Sequence, residues 1–317
     1  MRDELMGKEP CDYDFCTPLK PDEIEERIRA HGKRAIKIGN RVGKMFGTIG
    51  FTIRGTLVEI TSFRGETYDG ESRKPDVEYG VTLEEDLSRR DFTINAIAMR
   101  GDRIIDPYNG LEDIRGKTIR AVGASPKARF KEDPLRLLRA CRFAAQLEFD
   151  IEQHTSDAMV KQAHSILRVS KERWAQEMDK LLMSGCPVNG LCYMQSSGLL
   201  AFMFPELSLQ HEYDQVSTYH QYPLWTHTML VVKHSPLDIN LRWAALLHDI
   251  GKPFVAVWKE KPKRKSYVKH DLLSADIVRK YAAHMKWSKE RTDTVVDLVL
   301  NHMQENSPLR EADLKAH

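Results

Sequence analysis

The sequence has little of what marks secreted, disulfide-bonded or membrane-spanning proteins. Its five cysteines are odd in number and include no Cys-x-x-Cys pair, which argues against a disulfide framework or a structural zinc site and favours a reducing cytoplasm. The longest apolar run, 199–205, is too short to cross a bilayer, and charged residues crowd the first ten positions. No internal repeat or low-complexity tract is visible. We therefore expect a globular protein of the cytoplasm with no membrane partner.

A surplus of charge is also missing. Lys and Arg total 48 against 46 Asp and Glu, so the formal net charge is only +2. Any contact with nucleic acid would therefore come from local basic patches and not from global charge. With 317 residues, of which 41% are hydrophobic, the chain can form two or three domains with modest cores.

Acidic and aromatic residues alternate near the start of the chain. The stretch 11–15 predicts a strand that places Asp12 and Asp14 on one face. A hairpin is predicted over 51–63, in which Glu59 could reach the same site from an adjacent strand. Oxygen ligands of this kind suit magnesium, which prefers carboxylates. The alternative interpretation is an edge strand with a solvated acidic face.

A polar cluster occupies residues 89–95. Apolar residues recur at helical spacing over 86–99, which predicts a helix that carries Arg90, Asp91 and Asn95 within about one turn. A cation, an anion and an amide on one surface suit a phosphate, a ribose hydroxyl and a metal-associated carboxylate. A salt-bridged helix face would give the same pattern.

The next candidate site lies on a helix predicted over 130–149, with Asp133 as its N-cap. Arg136, Arg139 and Arg142 follow Asp133 at three-residue intervals, so one carboxylate and three guanidiniums share a ridge. Four such residues exceed what capping requires. They suggest a binding role in addition to a structural one.

The carboxyl-terminal half is predicted to be largely helical. A helix with an apolar stripe is expected over 170–183, and the Gly-, Ser-, Pro- and Met-rich segment 185–205 is expected to be a connector. The basic run 259–269 is predicted to be a loop between helices. It either contacts RNA phosphates or is solvated.

Histidine and aspartate form a second polar constellation. His227 is predicted to precede a helix, His248 and Asp249 end an apolar helix before a glycine and a proline, and His270 follows on another helix. An imidazole and a carboxylate embedded in apolar sequence need a partner, and a divalent metal can be that partner. A satisfied core histidine is the alternative for any single one of these residues.

Taken together, five segments resemble, in order and spacing, the bacterial and eukaryotic class of tRNA nucleotidyltransferases, which comprises CCA-adding enzymes and related poly(A) polymerases. The segments are Arg-Asp at 2–3, Asp-x-Asp at 12–14, Glu-Ile-Thr-Ser-Phe-Arg at 59–64, Arg-Arg-Asp-Phe-Thr-Ile-Asn at 89–95 and Glu-Asp-Pro-Leu-Arg at 132–136. The resemblance implies an α+β fold with a mixed-sheet head of the DNA polymerase β superfamily and a helical remainder. We expect the head at 1–118, a helical neck and body at 119–205, and a further domain at 206–317.

The resemblance also implies an activity and its residues. The expected reaction is template-independent addition of CMP and AMP, from CTP and ATP, to the 3′ end of tRNA. Poly(A) addition, partial CCA addition and a catalytically dead RNA-binding module are the alternatives. Asp12 and Asp14 would bind Mg²⁺, with Glu59 as a third catalytic acid. The residues expected to bind nucleotide are Arg2, Arg90, Asp91, Asn95, Asp133, Arg136, Arg139 and Arg142.

The histidine pattern resembles the HD phosphohydrolase family. In that family the residues matching His227, His248 and Asp249 bind metal, and His270 matches a later histidine. Asp293, Asp297 and His302 are candidates for the final ligand. The resemblance implies a divalent metal and hydrolysis of phosphoesters, and this could be the only active site.

The sequence departs from the family's pattern at the turn whose backbone approaches the triphosphate. The family's Gly-Gly turn precedes the Arg-Asp pair that matches Arg2 and Asp3, and this sequence starts at Met1. Without the backbone N–H groups of that turn we expect weakened triphosphate binding. Either the start is a truncated one or full activity has been lost.

Overall fold

The computed structural model describes residues 1–9, 14–37, 47–53, 56–67, 76–216, 222–261 and 263–315. They form two compact units, 1–133 and 134–317. The first unit contains short helices and small sheets, and the second is mostly helical, so the predicted α+β class is confirmed. No helix within these described ranges is both long and apolar enough to cross a membrane.

In unit 1 the helices are α1 (Arg2–Leu5), α2 (Pro21–Ala30), α3 (Leu83–Ser88), α4 (Gly110–Arg115) and α5 (Pro126–Glu132). Its strands are β1 (Asp14–Thr17), β2 (Ile36–Lys37), β3 (Thr48–Ile53), β4 (Thr56–Ser62), β5 (Arg64–Thr67), β6 (Asp76–Tyr79), β7 (Ala98–Arg100), β8 (Arg103–Ile105) and β9 (Thr118–Ile119).

In unit 2 the helices are α6 (Leu135–Leu147), α7 (Gln153–Gln162), α8 (Lys171–Leu182), α9 (Pro187–Ser196), α10 (Leu199–Met203), α11 (Pro205–Ser208), α12 (Leu224–His234), α13 (Ile239–Leu247), α14 (Lys252–Val255), α15 (His270–Met285), α16 (Lys289–Leu300) and α17 (Arg310–Leu314). Its strands are β10 (Asp150–Ile151), β11 (Val257–Lys259) and β12 (Arg264–Ser266).

The largest sheet of unit 1 has the strand order β1-β4-β3-β2, with β1 parallel to β4 and the other neighbours antiparallel. Helix α2 buries Ile24 and Ile28 against Ile49 of β3. Because side chains alternate across a strand, one face of the sheet takes this apolar contact and the other can carry polar groups. The hairpin predicted over 51–63 corresponds to β3 and β4, which pair in antiparallel orientation.

The helix predicted over 86–99 is wrong. Helix α3 ends at Ser88, and a 3₁₀ turn and β7 follow it. The chain leaves the helix because Phe92 forms a β-bridge with Ala121. The Asp91 carboxylate also accepts a hydrogen bond from the Phe92 N–H at 2.8 Å, which competes with helical hydrogen bonding.

The single helix predicted over 130–149 is also wrong. The chain instead forms α5, which ends at Glu132, and α6, which begins at Leu135. Asp133 between them is extended, with φ −133° and ψ 101°, because a proline disfavours helical backbone in the residue before it. Pro134, and not Asp133, occupies the N-cap position of α6.

Two segments predicted to lack regular structure contain it. The predicted connector 185–205 includes α9 and α10, because Pro187 suits a first helical turn and Leu191 and Met194 are fully buried. The predicted loop 259–269 includes strand β12, which pairs with β11 in an antiparallel hairpin. The helix predicted over 170–183 is confirmed as α8.

Candidate nucleotide and metal sites

Two acidic side chains meet on the sheet of unit 1. In the parallel pairing of β1 with β4, Asp14 lies directly opposite Glu59, so both carboxylates project from the same face. Asp14 is exposed and Glu59 is half-buried. Asp12 lies outside the described residues. Two oxygen donors side by side on an accessible face suit a hard cation such as magnesium.

A chain of hydrogen bonds joins the amino terminus to the polar cluster at 89–95. Arg2 Nη1 donates to Asn95 Oδ1 at 2.9 Å, and Asn95 Nδ2 donates to Asp91 Oδ1 at 3.0 Å. Arg2 is also held by Asp3, whose carboxylate accepts from its Nε at 2.8 Å. The structure thus brings three of the predicted nucleotide-binding residues into one network, although they do not share a helix.

Arg90 is positioned by a residue that sequence reasoning missed. Asp86, almost fully buried, accepts from Arg89 Nη2 at 2.5 Å and from Arg90 Nη2 at 3.2 Å. Burial alone would raise the pKa of Asp86, but the two guanidiniums lower it below its usual range. The signal was an aspartate in the last turn of a helix, placed three and four residues before two arginines.

The charge of Arg90 also reaches β1. Burial raises the pKa of the Cys16 thiol, Arg90 opposes that rise, and Asp86 and Asp14 add to it. Cys16 therefore lies within electrostatic range of Asp14 and of the two arginines. One predicted catalytic acid, Asp14, and one predicted nucleotide-binding residue, Arg90, thus act on the same thiol.

In unit 2, helix α6 carries the predicted arginine ridge. Arg142 Nε donates to Glu177 Oε2 at 2.6 Å, and Arg139 Nη1 lies 3.7 Å from Glu177 Oε1. The guanidinium of Arg142 also stacks on the Phe143 ring, 3.9 Å from its centroid. Arg136 is buried on the same helix. Glu177 of α8 thus holds two of the three arginines at fixed positions.

Sequence reasoning treated α8 as an ordinary core helix and did not single out Glu177. The signal was available, because Glu177 lies three residues after Trp174 and four before Leu181, both buried members of the apolar stripe. A carboxylate on the buried face of a helix requires a cationic partner. Arg142 satisfies that requirement.

Six buried ligand side chains converge elsewhere in unit 2. They come from helices α12, α15 and α17 and from the turns that follow α13 and α16. We call them the histidine–aspartate cluster, and its members are His227, His248, Asp249, His270, His302 and Asp313. The structure therefore brings together all four residues predicted for this site. His227 lies within α12, and the prediction that it precedes a helix is wrong.

The two carboxylate oxygens of Asp249 divide the cluster into two halves. Oδ2 lies 3.5 Å from His227 Nε2 and 3.1 Å from His248 Nε2. Oδ1 lies 3.1 Å from His270 Nε2 and 3.6 Å from His302 Nε2. Asp313 belongs to the first half, because its Oδ1 lies 3.3 Å from His227 Nε2.

The histidine rings are oriented by backbone carbonyls. The Nδ1 atoms of His248, His270 and His302 lie 2.7–2.9 Å from the carbonyl oxygens of Ala245, Tyr267 and Val299, in that order. A carbonyl can only accept, so each Nδ1 carries a proton and a neutral ring presents its Nε2 lone pair to the cluster. This is the tautomer that binds a metal through Nε2.

The contact between His270 and His302 tests whether a cation fits. Their Nε2 atoms are 3.2 Å apart, and both are acceptors when the rings are neutral. Two such lone pairs repel each other unless a positive charge lies between them. Two nitrogens bound to one zinc-like ion at about 2.1 Å and at tetrahedral or right angles would be about 3.0–3.4 Å apart. The donor set therefore fits a divalent cation.

The protonation states of Asp249 and His302 favour cation binding. Burial would raise the pKa of Asp249, but His248 and Lys252 hold it well below its usual range. Burial would lower the pKa of His248, but Asp249 outweighs burial and raises it. Burial lowers the pKa of His302 to about 4. At neutral pH Asp249 is therefore anionic and His302 is neutral, so neither must lose a proton to bind a metal.

Two residues next to the cluster shape it. Lys252 is buried, and its Nζ lies 2.6 Å from Asp249 Oδ2 and donates to Gln215 Oε1 at 3.0 Å. Gly251 allows α15 to approach the Asp249 turn, because a Cβ at this position would lie 2.6 Å from the carbonyl oxygen of His270. The Gly251 N–H donates to Ser274 Oγ at 2.9 Å. The Gly-Lys pair after His-Asp thus has a structural explanation.

Of the three candidates for a final ligand, His302 lies in the cluster. Asp293 and Asp297 are exposed on α16 and lie outside both ligand groups of the cluster. Sequence reasoning missed Asp313, whose side chain joins His227 and His248 in the first half. No local pattern marks Asp313, since it lies 64 residues after Asp249 and only the fold brings α17 against α12.

Three family models match the chain. The model described as "Poly A polymerase head domain" matches residues 1–120, and "Probable RNA and SrmB- binding site of polymerase A" matches 148–210. "HD domain" matches 225–316. The class of protein is therefore a polymerase-type nucleotidyltransferase head followed by a helical region that matches the second of these models and by an HD domain. The division predicted at 118 and 205 stays a prediction.

Relatives with established names narrow this class. The chain is 36% identical over 265 residues to the CCA-adding enzyme of Geobacillus thermodenitrificans, which covers 82% of this chain and 60% of the relative. It is 32% identical over 297 residues to that of Geobacillus sp. (strain WCH70), which covers 92% of this chain and 68% of the relative. This chain belongs to the family of CCA-adding enzymes.

Solved structures show the same fold. The CCA-adding enzyme of Bacillus stearothermophilus in complex with CTP superposes with a TM-score of 0.63 at 26% identity, covering 99% of this chain and 74% of that one. A tRNA nucleotidyltransferase complexed with a primer tRNA and an incoming ATP analog gives 0.64 at 23% identity, covering 98% and 81%. The chain spans 60% and 48% of the length of the relatives from G. thermodenitrificans and Levilactobacillus brevis.

Proposed function

We propose that this chain is a template-independent nucleotidyltransferase that adds CMP and AMP, from CTP and ATP, to the 3′ end of tRNA. The observation that carries the proposal is the register of β1 with β4, which sets Asp14 beside Glu59 in a chain of this family. The named relatives are CCA-adding enzymes. Poly(A) addition and partial CCA addition use the same chemistry and differ only in nucleotide choice and number.

In the head, Asp14 and Glu59 would hold Mg²⁺, with Asp12 as the further ligand proposed from the sequence. When bound, the ion supplies charge stabilisation at the α-phosphate and activation of the attacking 3′-hydroxyl. Arg2 and Arg90 would neutralise phosphate charge. Asp91 and Asn95 offer an acceptor and an amide for ribose hydroxyls.

Nucleotide choice would depend on the arginine ridge of α6, formed by Arg136, Arg139 and Arg142, and on Asp133, which precedes that helix. Cytosine and adenine each present an exocyclic amine beside a ring acceptor, which a carboxylate and a guanidinium satisfy together. Guanine and uracil present a carbonyl there, whose oxygen would face the carboxylate of Asp133. Because an unpaired buried acceptor costs free energy, GTP and UTP should be strongly disfavoured relative to CTP and ATP. Glu177 supports the ridge by fixing Arg142.

A second activity is favoured by the histidine–aspartate cluster. We propose that it holds divalent cations and hydrolyses a phosphoester, and that Asp249 would be among the residues that hold them. His227, His248 and Asp313 would hold one cation, and His270 and His302 the other. Imidazole-rich donor sets favour transition metals over magnesium. Bound cations of this kind supply a water of lowered pKa and charge for the phosphoryl oxygens, and the Lys252 ammonium adds a further positive charge beside Asp249.

The main proposal is tested with tRNA that lacks its terminal CCA, incubated with magnesium and each nucleotide separately and then together. Sequential incorporation of C, C and A supports CCA addition. Incorporation of A alone supports poly(A) or A-only addition, and incorporation of C alone supports CC addition. Binding of tRNA without any incorporation, at magnesium and nucleotide concentrations at which a CCA-adding enzyme works, would contradict the proposal and favour an RNA-binding module.

The second activity is tested with bis(p-nitrophenyl) phosphate after removal of metal and addition of Mn²⁺, Co²⁺, Ni²⁺ or Zn²⁺ in turn. Metal-dependent hydrolysis that is lost in Asp249→Asn and kept in Asp297→Asn supports the cluster as its site. Metal analysis of the purified chain should give up to two ions per molecule. Failure to bind any of these ions would contradict the proposal.

We also propose a reducing compartment such as the cytoplasm. The described cysteines are all free thiols, namely Cys16, Cys141, Cys186 and Cys192. Cys141 is fully buried in unit 2, and Cys16 and Cys192 are exposed. Exposed free thiols are typical of proteins that work where disulfides do not form.

A further inference from the structure

The antiparallel hairpin of β11 and β12 concentrates positive charge beside the histidine–aspartate cluster. We call residues 257–269 the basic hairpin. This stretch contains six Lys or Arg residues and one acid, Glu260, whereas the whole chain has a net charge of only +2. Lys259, Lys261 and Lys263 are exposed. The concentration of charge is therefore local and accessible.

The basic hairpin also exposes a large aromatic ring. Trp258 is 48% exposed, and its Nε1 donates to Glu260 Oε1 at 2.8 Å, which holds the indole in one orientation. Trp258 pairs across the strands with Lys265. The other tryptophans for which burial is classed lie in the interior or half-buried. Trp258 therefore presents an accessible aromatic face in a fixed orientation within the basic hairpin.

Contacts on one side fix the basic hairpin in place. The Lys265 N–H donates to the Val216 carbonyl at 3.0 Å, and Lys265 Nζ donates to the Asp214 carbonyl at 2.6 Å. The same ammonium lies 4.2 Å from the centroid of the Tyr213 ring. Lys265 thus anchors the hairpin, while the exposed lysines on it are available for other partners.

A short series of contacts joins the basic hairpin to the cluster. Tyr267, directly after β12, accepts from His270 Nδ1 through its carbonyl at 2.7 Å. Its hydroxyl donates to the Gln215 carbonyl at 2.5 Å, and the Gln215 side chain accepts from Lys252, which contacts Asp249. The hairpin therefore ends at residues that position two proposed metal ligands.

We propose that the basic hairpin binds a single-stranded RNA end and presents its terminal phosphate to the histidine–aspartate cluster. The inference rests on the proposed phosphoester hydrolysis and names its substrate class as a polynucleotide, not a small phosphoester. Exposed lysines contact the RNA backbone, and a base stacks on Trp258. Cations combined with an aromatic platform are the usual means of holding single strands without sequence preference.

The hydrolysis test compares two substrates on the full chain loaded with its preferred metal. One is bis(p-nitrophenyl) phosphate, and the other is a short single-stranded RNA that ends in a 3′-phosphate or a 2′,3′-cyclic phosphate. Trp258→Ala should lower kcat/KM for RNA by roughly 5- to 150-fold, the loss of one stacked base. Lys261→Glu with Lys263→Glu should also lower it and reduce its salt dependence, by a slope of about 1.4 for two lost phosphate contacts. Turnover of the small substrate should not change.

The matched control is Lys233→Glu with Lys289→Glu, which makes the same charge change at two exposed positions on α12 and α16. This variant should hydrolyse both substrates like the unchanged chain. Equal losses in the control and the hairpin variant would mean that only net charge matters, which would overturn the proposal. A loss of small-substrate turnover in the hairpin variants would overturn it too, because the hairpin would then serve the cluster and not the RNA.

A binding test separates failure of this proposal from failure of the hydrolysis on which it rests. Ultraviolet cross-linking of the same RNA to the metal-free chain, followed by peptide mapping, should mark 257–269, and the label should vanish in Trp258→Ala. Labelling without hydrolysis of either substrate would support the RNA surface and count only against the hydrolase. Absence of label from the hairpin overturns the proposal. Hairpin-dependent binding of phosphatidylserine vesicles without RNA labelling would overturn it in favour of a membrane surface.

Discussion

The acidic pair of the head and the acids of the histidine–aspartate cluster are built in opposite ways. Asp14 and Glu59 lie side by side on an accessible strand face, and within the described residues neither forms an ion pair with a cationic side chain. Asp249 and Asp313 are buried and surrounded by imidazoles, and Lys252 pairs with Asp249. The head pair thus depends on an incoming cation, whereas each acid of the cluster already pairs with one cationic side chain, Asp249 with Lys252 and Asp313 with Arg310.

This difference has a chemical consequence. An oxygen-only site on an open face takes a hard, hydrated ion that arrives with a nucleotide, as magnesium does. A buried, imidazole-rich site selects softer transition metals and keeps them when substrate leaves. The two proposed activities should therefore respond differently to metal, mutation and pH. The predictions below use those differences, from the largest expected effect to the smallest.

The largest effect should come from removing one acid at a time. Asp14→Asn should lower nucleotide incorporation by ~10³-fold or more, because a metal ligand supplies several kcal/mol of transition-state stabilisation. It should leave phosphoester hydrolysis intact, and Asp249→Asn should do the reverse. Both rates are measured on the same preparations, with the exposed Asp297→Asn as the control. Loss of both activities in either single variant would mean that the two sites are not separate.

The next effect concerns the support of the arginine ridge. Glu177→Gln leaves the buried guanidinium of Arg142 without its carboxylate, which should destabilise unit 2 by about 3 kcal/mol. It should also weaken the preference for CTP and ATP over UTP and GTP, while Asp14 and the metal cluster are untouched. Thermal unfolding and competitive incorporation measure the two effects.

The matched control for Glu177 is Glu172→Gln on the same helix α8, because Glu172 pairs with Lys286 near the surface. A surface pair of this kind should contribute less than about 1 kcal/mol. Unchanged stability and unchanged nucleotide preference in Glu177→Gln would contradict the assigned support of the ridge. Arg136→Ala extends the test, since it should weaken nucleotide preference more than it weakens magnesium dependence.

Metal removal should distinguish the two sites by stability. A transition metal at about one hundred times its dissociation constant should stabilise the folded form of unit 2 by about 2.7 kcal/mol. Magnesium should give little stabilisation without nucleotide, because the head pair lies on an accessible face and Asp14 is exposed. Differential scanning calorimetry with EDTA, Mg²⁺ or Mn²⁺ measures this, and Asp249→Asn should abolish the transition-metal effect. If Mg²⁺ stabilised the protein without nucleotide and still did so in Asp249→Asn, the head and not the cluster would be the site that binds metal in the absence of substrate.

The same contrast explains what the sequence could and could not predict. The strand alternation and the motif spacing predicted that Asp14 and Glu59 could reach one site, and the pairing of β1 with β4 sets them side by side. Alternation of side chains along a strand follows directly from sequence. The motif spacing also identified the adjacent His248 and Asp249. Asp313 could not be found in this way, because a distant helix supplies it and no spacing rule connects it to the cluster.

The helix expected over 86–99 failed for a related reason. Its apolar spacing is helical, but Phe92 gains a bridge to Ala121 that local periodicity cannot reveal. Tertiary hydrogen bonds therefore outweighed helical spacing. Glu177 and Asp86 were missed although their signals were local. Glu177 lies on the apolar face of its helix, and Asp86 precedes two arginines by three and four residues.

The smallest expected effect concerns Asp86, an acid of the head that is paired like the acids of the cluster. Its folded pKa lies below the ordinary 3.8, because Arg89 and Arg90 outweigh burial. Its contribution to stability is therefore fully present above pH 3.8 and is lost as pH falls through the folded pKa.

Asp86→Asn should cost about 2 kcal/mol at pH 6, the value of hydrogen bonds to a charged group. Urea unfolding from pH 3 to 6 should show that this cost shrinks below pH 3.8, whereas Glu84→Gln, exposed on the same helix, should cost little at any pH. A cost that stays constant with pH would mean that the carboxylate of Asp86 contributes through packing and not through its charge. Asp86 would then differ from Asp249 and Asp313, whose pairing is electrostatic.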